Sequence, residues 1–133
     1  MSLSPFKKNF IEEISKELKK FNCALAIIFG SFLESENYRD IDIMISKKGG
    51  KSYSDAELIN IKQILEAKFN RKFDLLNINV PNIPLCAEVA KKGYPIILDD
   101  EDLWDDFRFK AWIEEIDFRP FLERFYEERF DFK

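Results

Sequence analysis

The chain has 133 residues, 46% of them hydrophobic and 35% charged, with 4 Gly and 5 Pro; that is one domain's worth of sequence with material for a packed core, which excludes a disordered or fibrous class. Residues 1–98 carry 15 basic and 12 acidic side chains while residues 99–133 carry 6 and 13, so the net charge of -4 is a C-terminal acidic excess. Such a chain disfavours duplex nucleic acid, whose affinity for proteins comes mostly from Lys and Arg on phosphates, and the absence of His excludes a His-based triad or zinc site.

In chain order, Ser4-Pro5 is a helix start. Phe6, Phe10, Ile14, Leu18 and Phe21 then recur at helical spacing opposite Lys7, Lys8, Glu12, Lys16 and Lys19, which predicts an amphipathic helix. Cys23 to Phe29 is a short apolar run that ends at Gly30, as a strand buried on both faces would. After the Gly30-Ser31 turn, Phe32 to Tyr38 reads as a loop or a single helical turn. Asp40 to Ser46 alternates, with Ile41, Ile43 and Ile45 on one face and Asp40 and Asp42 on the other. Lys47 to Lys51 is a turn, and its lysines read as a solvated tip. Ser54 and Glu57 have capping-box spacing for a helix that turns Leu58, Ile61, Ile64, Leu65 and Phe69 inward. Lys72 to Ile78 is a third strand, containing Asp74. Pro81 and Pro84 introduce a short helix through Val89, Gly93 ends it, and Tyr94 to Leu98 is a fourth strand. From Glu101 to Phe132 the spacing predicts two helices broken at Pro120. The expected fold is α+β: one domain over residues 1–133, with a catalytic core to residue 98 and a helical extension over 99–133.

Cys23 and Cys86 lie in apolar segments without metal-type spacing and read as reduced core residues. No apolar run approaches the roughly 18 residues of a membrane span, and the first ten residues lack a signal-peptide apolar region. No membrane partner and a cytoplasmic location are the expectation.

The residues that carry chemistry are Gly30, Ser31, Asp40, Asp42 and Asp74. Two carboxylates on one strand face repel unless a cation sits between them. Magnesium suits that place because it takes a few carboxylate oxygens and completes its shell with water and substrate phosphates. Gly30 lets backbone approach a phosphate, and the Ser31 hydroxyl and turn N–H groups bind its oxygens. Asp74 adds a third acid, for a two-metal site in which a hydroxyl attacks the α-phosphate of a nucleoside triphosphate and expels pyrophosphate. Positioning and charge neutralisation drive such chemistry, and no nucleophilic side chain is needed.

Gly30-Ser31, Asp40-Ile41-Asp42 and Asp74 in Lys72-Phe73-Asp74-Leu75-Leu76 resemble the signature of the nucleotidyltransferase superfamily that includes DNA polymerase β. More closely, the chain resembles the minimal nucleotidyltransferases that act as antitoxins beside a helical HEPN-domain toxin. The likeness continues in Leu85 to Leu98, with Lys92-Gly93-Tyr94-Pro95, and in Ile116-Asp117-Phe118-Arg119-Pro120, so it covers nearly the whole chain. It implies a mixed sheet of about four strands backed by helices, two Mg2+ ions held by Asp40, Asp42 and Asp74, ATP as donor, and transfer of AMP to a tyrosine of the partner toxin. The chain departs from the pattern between Ser31 and Asp40. There it has eight residues, Phe32 to Arg39, fewer than the family usually has, and Ser35 stands where a glycine is usual.

A second reading from another class is a binding module that neutralises a partner by occlusion through the C-terminal helices. The aromatics there, Trp104, Phe107, Trp112, Phe118, Phe121, Phe125, Phe130 and Phe132, are either core or an interface whose acidic rim calls for a basic partner. A small-molecule transferase is disfavoured by the lack of a substrate domain. Arg39 reads equally as a phosphate ligand or a partner of Glu36, and Arg71 and Lys72 as surface charges. The oligomeric state is open, a homo-oligomer included.

Overall fold

A computed structural model describes the backbone of residues 3–130 and the side chains of residues 3–117. The elements run α1 (Pro5–Lys19), β1 (Cys23–Phe29), α2 (Ser31–Glu34), β2 (Asp40–Lys47), α3 (Asp55–Phe69), β3 (Lys72–Asn77), α4 (Ile83–Lys92), β4 (Tyr94–Leu98) and α5 (Glu101–Phe130). The sheet has the order β3-β2-β1-β4. β1 pairs antiparallel with β2 and β4, and β2 pairs parallel with β3, which makes the sheet mixed. A parallel neighbour requires a crossover, and α3 supplies it.

Every residue of β1 is buried, because helices cover both sides of the sheet. Alternate side chains divide between two cores. Ala26 and Ile28 join Ile41, Ile43, Ile45 and Phe73 beneath Ile11, Ile14 and Leu18 of α1 and Ile61 and Leu65 of α3. Leu25, Ile27, Phe29 and Met44 face Cys86 and Val89 of α4 and Trp104, Phe107 and Ala111 of α5. Each fully buried aliphatic side chain contributes roughly 1.5–3 kcal/mol, so the strands that carry the acids are anchored on both faces. Local signals agree with this packing: Ser4 accepts from Lys7 N at the start of α1, and Ser54 and Glu57 form the capping box of α3.

The structure departs from the sequence expectation in several places. α5 is one helix from Glu101 to Phe130, without a break at Pro120; an interior proline forfeits one hydrogen bond and costs about 3 kcal/mol, which a 30-residue helix absorbs. α4 runs on to Lys92, with Gly93 at its C-cap. Ile64 is exposed because α3 rests on the sheet only along the Ile61–Leu65 line. Lys7, expected on the solvent face of α1, is 3% exposed. On α5, Trp104 and Phe107 are core while Trp112 is exposed. The aromatics from Phe118 onward lie outside the residues whose side chains are described. Cys23 and Cys86 are buried free thiols, and no helix among the described residues is long and apolar enough to cross a membrane.

Candidate active site

The site forms where β1 ends and its neighbours β2 and β3 begin. Phe29, the last residue of β1, is in register with Asp42, and Asp42 is in register with Asp74. Asp42 and Asp74 come from adjacent parallel strands at the same register, so their side chains stand side by side on one face of the sheet. Asp40 lies two residues before Asp42 on the same strand face, in register with Lys72. The structure therefore gathers all three acids on one side of the sheet, with Asp42 in the middle.

Gly30 closes the ring from the β1 side. Its backbone has φ 79° and ψ -153°, a region essentially reserved for glycine, and a Cβ there would lie 2.5 Å from Asp42 Oδ2. Main chain and carboxylate approach closely only because no side chain intervenes. Ser31 follows as the exposed first residue of α2, beside the carboxylates.

Burial first, then the charge and hydrogen bond of Asp74 and the charge of Asp40, push the Asp42 carboxyl up to about 6. The cause is crowding of like charges in a partly dehydrated place. Lys62 of α3 stands beside the acids, with Nζ 3.7 Å from Asp74 Oδ1. Lys62 was not legible as a site residue: it reads as one more surface lysine, and only the docking of α3 beside β3 brings it to the acids.

Two clefts meet at Phe29. One, of about 460 Å³, is lined by Asp42, Asp74 and Lys62 and by apolar walls from Leu58, Ile59, Leu76 and Leu85. The other, of about 380 Å³, borders Gly30 and runs to Lys91, Lys92 and Tyr94. Arg39 is exposed, and Glu36 pairs with Lys7 at 3.8 Å. Lys47 pairs with Glu57 at 2.9 Å rather than standing as a solvated tip, and Arg71 stacks over Tyr38 at 5.1 Å.

Among the described residues, no three His, Cys, Asp or Glu side chains are gathered tightly enough to chelate a metal ion by themselves. Magnesium does not require that, because it is ordinarily held by one or two carboxylates with substrate phosphates and water completing the shell. The crowded Asp42–Asp74 pair, with Asp40 beside it and a glycine-lined approach for phosphate, fits that demand.

A sequence-family comparison matches residues 12–102 to the model described as Polymerase beta, Nucleotidyltransferase. The chain belongs to the polymerase β nucleotidyltransferase family. Its α+β architecture, a four-stranded mixed sheet with helices, is the fold of that family, whose chemistry is nucleotidyl transfer and which generally uses Mg2+. By sequence, no curated protein matches it. Among solved structures, it is similar to a chain of a mutant MntA–HpeT toxin–antitoxin crystal structure, with TM-score 0.70, 17% identity, and coverage of 86% of this chain and 96% of that one. A toxin–antitoxin structure with AMP-PNP gives TM-score 0.68 and 19% identity, covering 85% and 96%. A structure of a tri-AMPylated Shewanella oneidensis HEPN toxin in complex with MNT antitoxin gives 0.67 and 19%, covering 87% and 96%. At these identities the likeness establishes the fold.

Proposed function

We propose that the chain transfers AMP from ATP to a hydroxyl of a helical HEPN-domain protein, as the antitoxin of a toxin–antitoxin pair. The observation that carries this reading is the register Phe29–Asp42–Asp74, which sets two carboxylates side by side beneath Gly30. Asp40 and Asp42 would hold one magnesium ion and Asp74 a second, while Gly30 and Ser31 bind phosphate oxygens. Magnesium held there would supply neutralisation of the phosphate charge and a lowered pKa for the acceptor hydroxyl. The acceptor oxygen bonds to the α-phosphorus, the bond to the bridging oxygen of the β-phosphate breaks, and pyrophosphate leaves. Asp74, more than half exposed, takes the hydroxyl proton and passes it to solvent. The solved complexes with AMP-PNP and with an AMPylated toxin support the donor and the acceptor class by likeness of fold.

A second reading, neutralisation by occlusion, is favoured by one feature of α5. Phe109, Trp112, Ile113 and Ile116 are all exposed at the spacing of one helical stripe, among acidic neighbours that suit a basic partner. A purified HEPN-domain protein is to be incubated with this chain, ATP and magnesium, and weighed by mass spectrometry. A gain of one or more AMP units that disappears with Asp42→Asn supports transfer. An unmodified toxin that is still neutralised, by the original chain and by Asp42→Asn alike, supports occlusion in its place.

A further inference from the structure

We propose that Lys7 is a positioning residue for the phosphate-binding turn, holding α2, and through it Gly30 and Ser31, in place for the triphosphate; this rests on the function proposed above. Lysine is almost never fully buried unless its ammonium is paired, and Lys7 is 3% exposed. Its Nζ donates to the Phe32 carbonyl and, at 3.0 Å, to the Ser35 carbonyl. It lies 5.0 Å from the centre of the Phe32 ring and 5.5 Å from that of Tyr38, and 3.8 Å from the exposed carboxylate of Glu36. Every one of these partners lies in the short segment that joins Ser31 to Asp40.

α2 has four residues, far too few to hold a helical conformation unaided, and the carbonyls at its C-terminal end have no partners further along the helix. A cation at that end satisfies them and suits the negative pole of the turn. The opposite end of the same turn is the site: Leu33 N donates to Gly30 O at 3.1 Å, and Ser35 N donates to Ser31 O at 2.9 Å. Lys7 thus grips the turn at carbonyls two and five residues beyond Gly30, whose backbone abuts Asp42.

Removing the ammonium leaves two carbonyls without their donor and loosens α2, while Asp42 and Asp74 stay on β2 and β3. Affinity for nucleotide and affinity for bare metal must therefore separate. Lys7→Met keeps the stem and removes the donor; Lys7→Gln, with a shorter donor, takes its place if the Met variant does not fold. Binding is to be measured by calorimetry with Mg2+ and a non-hydrolysable ATP analogue, by Mn2+ spin resonance without nucleotide, and by hydrogen exchange of the Leu33 and Ser35 amides. The expected result is exchange faster by about tenfold or more and nucleotide affinity weaker by about tenfold, with Mn2+ affinity unchanged. Unchanged nucleotide affinity, in a variant of a chain that does bind nucleotide, overturns this inference alone. Equal losses for Mn2+ and nucleotide also overturn it, because they mark general loosening. A chain that in its original form binds no Mg–ATP overturns the proposed function, and the inference falls with it.

Discussion

Gly30→Ala tests how tightly the site is assembled. The residue has φ 79° and ψ -153°, and a side chain in that region costs of order 1–3 kcal/mol. The added Cβ would lie 2.5 Å from Asp42 Oδ2, where ordinary contact begins at 3.4 Å, so carboxylate or turn must give way by nearly an ångström. Asp42 is half-buried and able to swing, so the stability loss stays near the strain cost, about 2 kcal/mol. An unfolding entropy of about 2.1 cal/mol/K per residue over the 133 residues converts this to a fall in Tm of about 7 °C. The chemical effect is larger, because a misplacement of about 1 Å costs about a hundredfold in rate. Gly49→Ala is the comparison: its φ is 74° but no atom lies within 4 Å of the added Cβ, so a smaller fall in Tm, about 4 °C, and no change in activity are expected. Differential scanning calorimetry and the rate of AMP transfer read the two effects. A Gly30→Ala chain with the activity and Tm of the original would refute the close-approach argument.

Three further outcomes follow from the same geometry. Without metal, Asp42 titrates near 6 in the folded chain against its ordinary 3.8, so between those values the folded state binds the proton more tightly than the unfolded state. This group's contribution to stability therefore falls as pH rises from about 4 to 6 and is level above that; denaturant titrations across this range show the slope, and Asp74→Asn lessens it while the share due to burial remains. Lys62→Met removes the cation 3.7 Å from Asp74, so Mn2+ binding measured by spin resonance tightens by about two- to fivefold, whereas weakened binding would mean that Lys62 supports the metal-bound state. Ser54→Ala removes one half of the α3 capping box and lowers stability in urea by about 1 kcal/mol without changing the kinetics.

The alternation Asp40-Ile41-Asp42-Ile43 was enough to place two acids on one strand face, and the length and apolarity of Cys23–Phe29 were enough to mark a central strand. Neither says which strand lies beside which. The register of Asp42 with Asp74 depends on the α3 crossover, and at the sequence level it rested on family resemblance. Lys7 was misplaced because periodicity assigns a face to a residue without knowing what packs there; the carbonyls of α2 make that position one where a buried ammonium is satisfied. Ile64 departs in the opposite direction, since an apolar side chain on a helix is buried only where another element covers it. Pro120 read as a break because its local cost is real, yet the hydrogen bonds on either side outweigh it in α5.

The central claim is that Asp42 and Asp74 together make a site for transfer of a nucleotide from its triphosphate. Parallel reactions with ATP labelled at the α- or the γ-phosphate, magnesium and a purified HEPN-domain protein as the proposed acceptor test it most directly. The account predicts that only the α-label reaches the partner, with release of pyrophosphate, and that Asp42→Asn and Asp74→Asn each abolish it. Transfer of the γ-label, or α-labelling that survives both substitutions, would contradict it.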